Sequence, residues 1–218
     1  MKKIFYPFII IQSLIILFVY IFESILYIDI AFEWFHYSII IIDFIFILII
    51  TILNQKNLIY GDYCLILGIV FTLIADFILI IIGDYQPYGV SFFIGVQTCY
   101  FLYIYRNYKK SLIIIPIVFA IVLLIHLLLH NIENYNIYVC IVYGILFITN
   151  IISSFIFKEK LIYKLGLILF FFCDICVAID GLQPFNDPHS IIFRLIWVFY
   201  LPSQVLISTF IYLQMKRE

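Results

Sequence analysis

Long apolar runs decide what this chain can fold into. Crossing the hydrocarbon core of a bilayer takes roughly 17 to 25 residues of helix, and runs of about that size recur along the whole sequence. They lie at about residues 4–22, 36–53, 64–82, 89–105, 112–130, 136–157, 163–180 and 191–213. The strands of a membrane barrel would instead alternate in polarity over about ten residues, which these runs do not do. The sequence therefore predicts an all-α membrane protein, a bundle of eight transmembrane helices.

The composition makes lipid the solvent for this apolar surface. The chain is 67% hydrophobic and only 11% charged, whereas a soluble domain carries about 25% charged residues. The connections between the runs are short, so residues 1–218 are expected to form a single integral-membrane domain. The net charge is −1 and the sequence has no basic block, which argues against nucleic acid as a partner.

Basic residues are distributed unequally between the two sides of the predicted bundle. All but one of the 12 Lys and Arg residues fall on the side that holds both termini, and the exception is Arg194. Loops rich in Lys and Arg stay in the cytoplasm, so both termini are predicted to be cytoplasmic and the protein is expected in the cell membrane. The basic side comprises Lys2, Lys3, Lys56, Arg106, Lys109, Lys110, Lys158, Lys160, Lys164, Lys216 and Arg217.

Two aspartates stand alone in apolar helices: Asp76 in "FTLIADFILIII" and Asp174 in "LFFFCDICVAI". In the predicted topology both helices run outward and both aspartates lie at nearly the same distance from the outer end, so they share one depth. A carboxylate at a helix centre costs about 2.5–3.5 kcal/mol to insert, and no Lys or Arg lies at that depth. If the two carboxyl groups are close, they cannot easily both ionise. The pair then supplies one acid and one base for catalysis; the structural alternative is a protonated Asp hydrogen-bonded to another helix.

Five other polar side chains fall in or near the same layer and are the candidate substrate-binding residues. Asp43 and Gln97 lie on helices that run inward and reach the depth of the two aspartates. Tyr100 lies one turn deeper than Gln97 on the same face. Tyr200 lies near the layer on the last helix, and Gln204 lies one turn below it.

Two motifs resemble metal sites. His126 and His130 are spaced i,i+4 near the outer end of the fifth run, and such a pair can bind a metal; interfacial histidines are the preferred interpretation. Cys173 and Cys176 form a C-x-x-C on a membrane helix, where cysteines act as small apolar packing residues. No metal or organic cofactor is expected.

Two further polar stretches have structural interpretations. The turn-rich loop "DGLQPFNDPHS" at 180–190 either caps a cavity that opens outward or simply connects two helices. Asn150, with Ser153 and Ser154, lies in the inner half of the sixth run and is interpreted as bonding to the backbone or to neighbouring helices.

Four segments occur in an order and with a spacing that are typical of a known family: "LIADFILI", "YGVSFFIGVQTCYFLYI", "KLGLILFFFCDICVAI" and "IWVFYLPSQVLIS". Over about residues 60–215 they resemble the signature segments of the YhhN/TMEM86 family of multi-pass membrane proteins, whose characterised members are lysoplasmalogenases. The resemblance implies eight helices. It also implies hydrolysis of the vinyl-ether bond of a lysoplasmalogen, which gives a fatty aldehyde and glycerophospho-ethanolamine or -choline.

The resemblance assigns roles to single residues. Asp76 and Asp174 match the two aspartates of the family, which makes them the candidate catalytic residues. The other matches are Gly89 and Phe93 for a Gly-x-x-x-Phe motif, Tyr100 for a tyrosine and Gln204 for a final glutamine. The departures are Ala75 for a glycine, Cys173 for a serine, Gln97 for a histidine, and a missing Lys-Pro in the second helix. Gln97 can form hydrogen bonds but cannot carry a proton at neutral pH.

The sequence is compatible with two functions. In the first, a neutral Asp protonates the vinyl ether while an ionised Asp stabilises the oxocarbenium ion and positions water, much as paired carboxylates do in glycosidases. The lysophospholipid substrate then enters laterally from the bilayer, with its headgroup at the outer surface. In the second, the protein is a non-catalytic lipid-binding protein or a proton-coupled carrier, because intramembrane carboxylates also mark proton pathways.

Overall fold

A computed structural model of the protein describes residues 2–25, 29–83, 86–107, 135–181 and 191–216. These residues form seven α-helices and, within those ranges, no β-strand. The helices are α1 (Lys2–Ile25), α2 (Asp29–Asn54), α3 (Tyr60–Asp76), α4 (Gln86–Ile104), α5 (Tyr135–Ile156), α6 (Leu161–Asp180) and α7 (Ile191–Met215). The all-α prediction is confirmed. The predicted span at 112–130 lies outside the described residues, so the count of eight helices stays a prediction.

Six of the seven described helices are long and apolar enough to cross a membrane. These candidate spans are Lys3–Ile21, Glu33–Asn57, Tyr60–Ile82, Tyr138–Ile156, Leu161–Asp180 and Ile191–Met215. Large apolar side chains such as Ile10, Leu14 and Ile52 are exposed on these helices, as expected of side chains whose solvent is lipid. The chain is therefore a multi-pass membrane protein, and the cytoplasmic location of its termini stays a prediction.

The helices group into two compact units. One unit, which we call the terminal unit, contains residues 1–55 and 159–218 and therefore α1, α2, α6 and α7. The other, the central unit, contains residues 56–158 and therefore α3, α4 and α5. The single integral-membrane domain expected from the sequence stays a prediction.

In the terminal unit, α6 and α7 pack antiparallel. The ring of Tyr163 lies 4.5 Å from that of Phe210, and the ring of Phe170 lies 5.5 Å from that of Tyr200. Gly166 allows the close approach, because a Cβ there would lie only 2.9 Å from Cγ1 of Ile207. The predicted topology also has adjacent helices running in opposite directions.

Helices α2 and α7 of the same unit are parallel. Near their first turns, the rings of His36 and Trp197 stack with centroids 3.7 Å apart. At their far ends, Asn54 Nδ2 donates a hydrogen bond to the main-chain oxygen of Met215. Asp43 and Gln204 each lie seven residues beyond the stacked pair, so the register places them at the same level.

In the central unit, α3 and α4 pack antiparallel through glycines. A Cβ at Gly68 would lie 2.8 Å from Cε1 of Tyr100, and a Cβ at Gly89 would collide with Leu79. The start of α3 is fixed by Asp62, whose Oδ2 accepts a hydrogen bond from the main-chain N–H of Ile59 at 3.0 Å. The two glycines therefore let α3 and α4 approach closely.

Directly after Asp76 the helix changes type. Residues Phe77–Ile82 form a π-helical turn, in which each N–H bonds five residues back and one extra residue is accommodated. The turn ends at Gly83, whose φ of 76° suits glycine and whose N–H donates to the main-chain oxygen of Ile78 at 3.0 Å. Such turns are rare inside helices and are frequent at functional sites.

Candidate functional site

The seven predicted site residues are divided between the two units, and six of them are buried. The central unit holds Asp76, Gln97 and Tyr100, whereas the terminal unit holds Asp43, Asp174, Tyr200 and Gln204. Asp174 is the exception to burial, since its side chain is half-buried. Polar residues in membrane helices usually face a protein interior or a wet cavity. The pairing of Asp76 with Asp174 stays a prediction.

Asp76 lies in the interface between α3 and α4. Its side chain is 3% exposed, and it lies between the two glycine contacts that hold the helices together. Gln97 lies in the same stretch on α4. Counted from the Leu79–Gly89 contact at 1.5 Å per residue, Asp76 and Gln97 are about 7 Å apart along the helix axes. The two predicted site residues therefore lie in the same stretch of the central unit, offset along the helix axes.

Gln97 is hydrogen-bonded to Asn150 of α5. Asn150 Nδ2 donates to the main-chain oxygen of Gln97 at 2.8 Å and to its Oε1 at 2.9 Å. Both side chains are 0% exposed. The expectation that Asn150 bonds to backbone and neighbours is met by this bond, but sequence reasoning did not connect it to Gln97, because the partner is 53 residues away.

Tyr100 is fully buried one turn beyond Gln97. Its ring packs against the main chain of Gly68 on α3, which holds the phenol in place in the same interface as Asp76. Thr72, between Gly68 and Asp76, satisfies its hydroxyl within its own helix by donating to the main-chain oxygen of Gly68 at 3.0 Å. The central unit thus buries a carboxyl group, two amides and a phenol: Asp76, Gln97, Asn150 and Tyr100.

In the terminal unit, Asp43 is bound by a residue that sequence reasoning missed. Gln12 of α1 donates from Nε2 to Asp43 Oδ1 at 2.9 Å and to the main-chain oxygen of Ile39 at 3.0 Å. Gln12 and Asp43 are both buried. The signal for Gln12 was present, because it is a lone amide in the run "IIIQSLII".

The Gln12–Asp43 contact should contribute measurably to stability. We expect Gln12→Leu to lower the free energy of unfolding by about 1–2 kcal/mol, because the buried Asp43 loses a charge-assisted or neutral hydrogen bond. The free energy of unfolding is measured for wild type and variant in the detergent-solubilised protein. The matched control is Ser13→Leu, since Ser13 is the exposed neighbour and its replacement should be nearly neutral. Equal costs for Gln12→Leu in the wild type and in an Asp43→Leu background would contradict the coupling.

Asp174 lies on the face of α6 that packs against α7. It is one turn beyond Phe170, whose ring meets Tyr200 edge-on, so the antiparallel register brings Asp174 to the level of Trp197. Trp197 is stacked on the buried His36. His36 was not singled out in the sequence, although it is a buried titratable residue at the level of a predicted catalytic aspartate.

Pro202 lies inside the continuous helix α7, between the two predicted site residues of that helix, Tyr200 and Gln204. Proline has no N–H, so it cannot bond to the carbonyl four residues back. Ser203 Oγ donates to the main-chain oxygen of Tyr200 at 2.6 Å, a bond within its own helix. Gln204 itself is buried, and its Nε2 lies 3.5 Å from Ser203 Oγ.

Within the described ranges, no group of three or more His, Cys, Asp and Glu side chains is arranged to hold a metal ion. Cys173 and Cys176 are both buried, on the same helix α6. His126, His130 and residues 182–190 of the turn-rich loop lie outside the described residues.

Comparison with known proteins assigns the chain to a family. A sequence model described as the YhhN family matches residues 35–211, which is more than three quarters of the chain and includes all seven predicted site residues and Asn150. No curated protein and no solved structure matches the chain. The order of the four signature segments and this match agree, and the chain belongs to the YhhN family.

Proposed function

We propose that the protein is a membrane-embedded hydrolase that cleaves the vinyl-ether bond of a lysoplasmalogen. The products are a fatty aldehyde and glycerophospho-ethanolamine or -choline. The observation that carries the proposal is Asp76, a carboxyl group 3% exposed at the start of a π-helical turn, in a chain of the YhhN family. An ionisable residue inside a membrane is costly and is a functional candidate by default.

The proposed reaction needs one acid and one base. A neutral carboxylic acid gives its proton to the outer carbon of the vinyl ether, and the double bond supplies the electron pair for the new C–H bond. The ether oxygen then stabilises the adjacent carbon as an oxocarbenium ion. Water adds to that carbon and loses a proton to the second, ionised carboxylate, which gives a hemiacetal.

The two carboxyl groups exchange roles in the second half of the reaction. The carboxyl group that gained a proton from water donates it to the glycerol oxygen as the C–O bond breaks. The carboxylate that acted first accepts the proton of the hemiacetal hydroxyl, and the aldehyde forms. Both groups return to their starting states, and one water molecule is consumed. We assign these roles to Asp76 and Asp174, without ordering them.

The remaining predicted site residues suit a lysophospholipid. Tyr100 and Tyr200 can donate through their hydroxyls, and Gln97 and Gln204 can donate through their amides, which matches the ether, hydroxyl and phosphate oxygens of the substrate. Asp43 can accept hydrogen bonds from the glycerol backbone or from an ethanolamine ammonium. A single-chain lipid reaches such a site from the bilayer of the cell membrane, with its tail still in lipid.

Purified full-length protein in detergent should release fatty aldehyde from lysoplasmenyl-ethanolamine or -choline. The matched control substrate is the saturated ether with the same headgroup and chain length, because it has no double bond to protonate and should give no aldehyde. Aldehyde is measured by mass spectrometry after trapping with a hydrazine. Binding of the lysolipid without any aldehyde across a range of pH would favour a lipid-binding protein or carrier instead.

A further inference from the structure

Gln97 and Asn150 form an amide pair whose orientation is fixed by the backbone. The main-chain oxygen of Gln97 lies 2.8 Å from the Asn150 amide and can only accept a hydrogen bond, so the Asn150 atom that meets it is the nitrogen. The same nitrogen lies 2.9 Å from the Gln97 side chain, so the atom there is Oε1. Gln97 Nε2 is therefore turned away from Asn150 as a donor.

Each amide of the pair has one polar atom left over. Among the described residues, neither Gln97 Nε2 nor Asn150 Oδ1 has a hydrogen-bond partner, and both atoms are buried. Leaving a buried polar group without a partner is unfavourable, and such groups are typically satisfied by an internal water. The hydrogen-bonding capacity of a water molecule complements this pair, because a water can accept from Nε2 and donate to Oδ1.

We propose that the Gln97–Asn150 pair binds the water molecule that adds to the oxocarbenium carbon. The proposal rests on the hydrolase function proposed above. With one lone pair held by Gln97 Nε2 and one hydrogen given to Asn150 Oδ1, the water keeps a second lone pair for the carbon. Its second hydrogen is left for a carboxylate. Asp76 belongs to the same compact unit as the amide pair and is the candidate acceptor for that hydrogen.

The chemistry of a lysoplasmalogen explains why the water has to be held. The glycerol carbon next to the ether-bearing carbon carries a free hydroxyl, which can add to the oxocarbenium carbon of its own molecule. That addition forms a C–O bond, passes the hydroxyl proton to the carboxylate and closes a five-membered cyclic acetal, an isomer of the substrate. Well-oriented intramolecular groups reach effective molarities of about 10⁵ M or more, so only a bound and oriented water competes well.

The ratio of cyclic acetal to fatty aldehyde tests this role in the full-length protein with lysoplasmenyl-ethanolamine as the substrate. The wild type should give mainly aldehyde. Gln97→Met and Asn150→Leu should each raise the ratio about tenfold, the effect of one lost hydrogen bond to the water. Gln97→His should give the same ratio as the wild type, because a neutral imidazole has one acceptor for Asn150 and one N–H for the water.

Two controls separate this role from a general disturbance of the site. Ser154→Ala changes a buried residue one turn from Asn150 whose hydroxyl donates to the main-chain oxygen of Ile151 on its own helix, and it should keep the wild-type ratio. A 2-deoxy substrate has no internal hydroxyl and should give aldehyde with every variant. Asn150→Ala removes the same amide without adding a branched side chain, in case Asn150→Leu does not fold.

The outcomes are distinct. An unchanged product ratio in folded Gln97→Met and Asn150→Ala proteins, even with slower turnover, would show that the amide pair is a structural contact between α4 and α5. It would overturn the water-binding proposal and leave the hydrolase function intact. If the wild type formed neither aldehyde nor cyclic acetal, the proposed hydrolase function would be wrong, and the water-binding role would fall with it.

Discussion

Asp76→Asn and Asp174→Asn should each lower aldehyde release by about 10²- to 10⁴-fold, the usual contribution of general acid–base catalysis, while the protein stays folded. Asparagine has the shape of aspartic acid and can still donate and accept hydrogen bonds, but it cannot transfer a proton at neutral pH. An aspartate that only holds two helices together would tolerate this exchange. Initial rates of aldehyde release measure the effect, and elution as a single species in detergent checks the fold.

Each aspartate has a matched control on its own helix. Asp62 on α3 is also buried, but its Oδ2 accepts from the main-chain N–H of Ile59, a bond that an Asn oxygen can replace. Asp180 is the last residue of α6. Asp62→Asn and Asp180→Asn should keep the wild-type rate, because neither residue is assigned to the catalytic chemistry. Wild-type rates in Asp76→Asn and Asp174→Asn would mean that the catalytic assignment is wrong, even if the protein releases aldehyde.

The helices could be predicted from the sequence because lipid leaves the backbone few choices. Within the hydrocarbon core every N–H and C=O needs an internal partner, so a long apolar run becomes a helix. This reasoning located all seven described helices, although α2 begins at Asp29, seven residues before the predicted span at 36–53. It did not find the π-helical turn after Asp76, because the letters "FILIII" suit an α-helix equally well and the extra residue is a property of packing.

The candidate site was harder to predict than the helices, because its contacts join residues that are far apart in the sequence. A lone polar residue in an apolar run shows that its face is costly to expose, but it does not identify its partner. Gln12 and Asp43 are 31 residues apart, and Asn150 is 53 residues from Gln97. The predicted topology placed Asp43 and Gln97 in one layer, whereas their hydrogen bonds lie in separate compact units with different partners.

Gly68 should be among the least replaceable small residues of the central unit. A Cβ at this position would lie 2.8 Å from Cε1 and 3.3 Å from Cδ1 of Tyr100, and 3.6 Å from Cβ of Cys99. The Tyr100 ring is fully buried, so it cannot move aside without separating α3 from α4. We expect Gly68→Ala to lower the free energy of unfolding by about 1–3 kcal/mol, the usual cost of overpacking, and Gly68→Leu to lower it further.

The same substitution should also reduce activity beyond its effect on folding. Tyr100 is one turn from Gln97, and both share the interface with Asp76, so separating α3 from α4 moves three candidate site residues at once. A displacement of about 1 Å can cost roughly 10²-fold in rate. We therefore expect folded Gly68→Ala protein, assayed well below its unfolding temperature, to release aldehyde at least about tenfold more slowly than the wild type.

Gly144 of α5 is the matched control for both effects. A Cβ there meets no described atom within 4 Å, and alanine is favoured over glycine in a helix interior by about 0.5–1 kcal/mol. Gly144→Ala should therefore be neutral or stabilising and should keep the wild-type rate. If Gly68→Ala were as stable and as active as Gly144→Ala, close contact between α3 and the Tyr100 ring would not be what holds this part of the candidate site together.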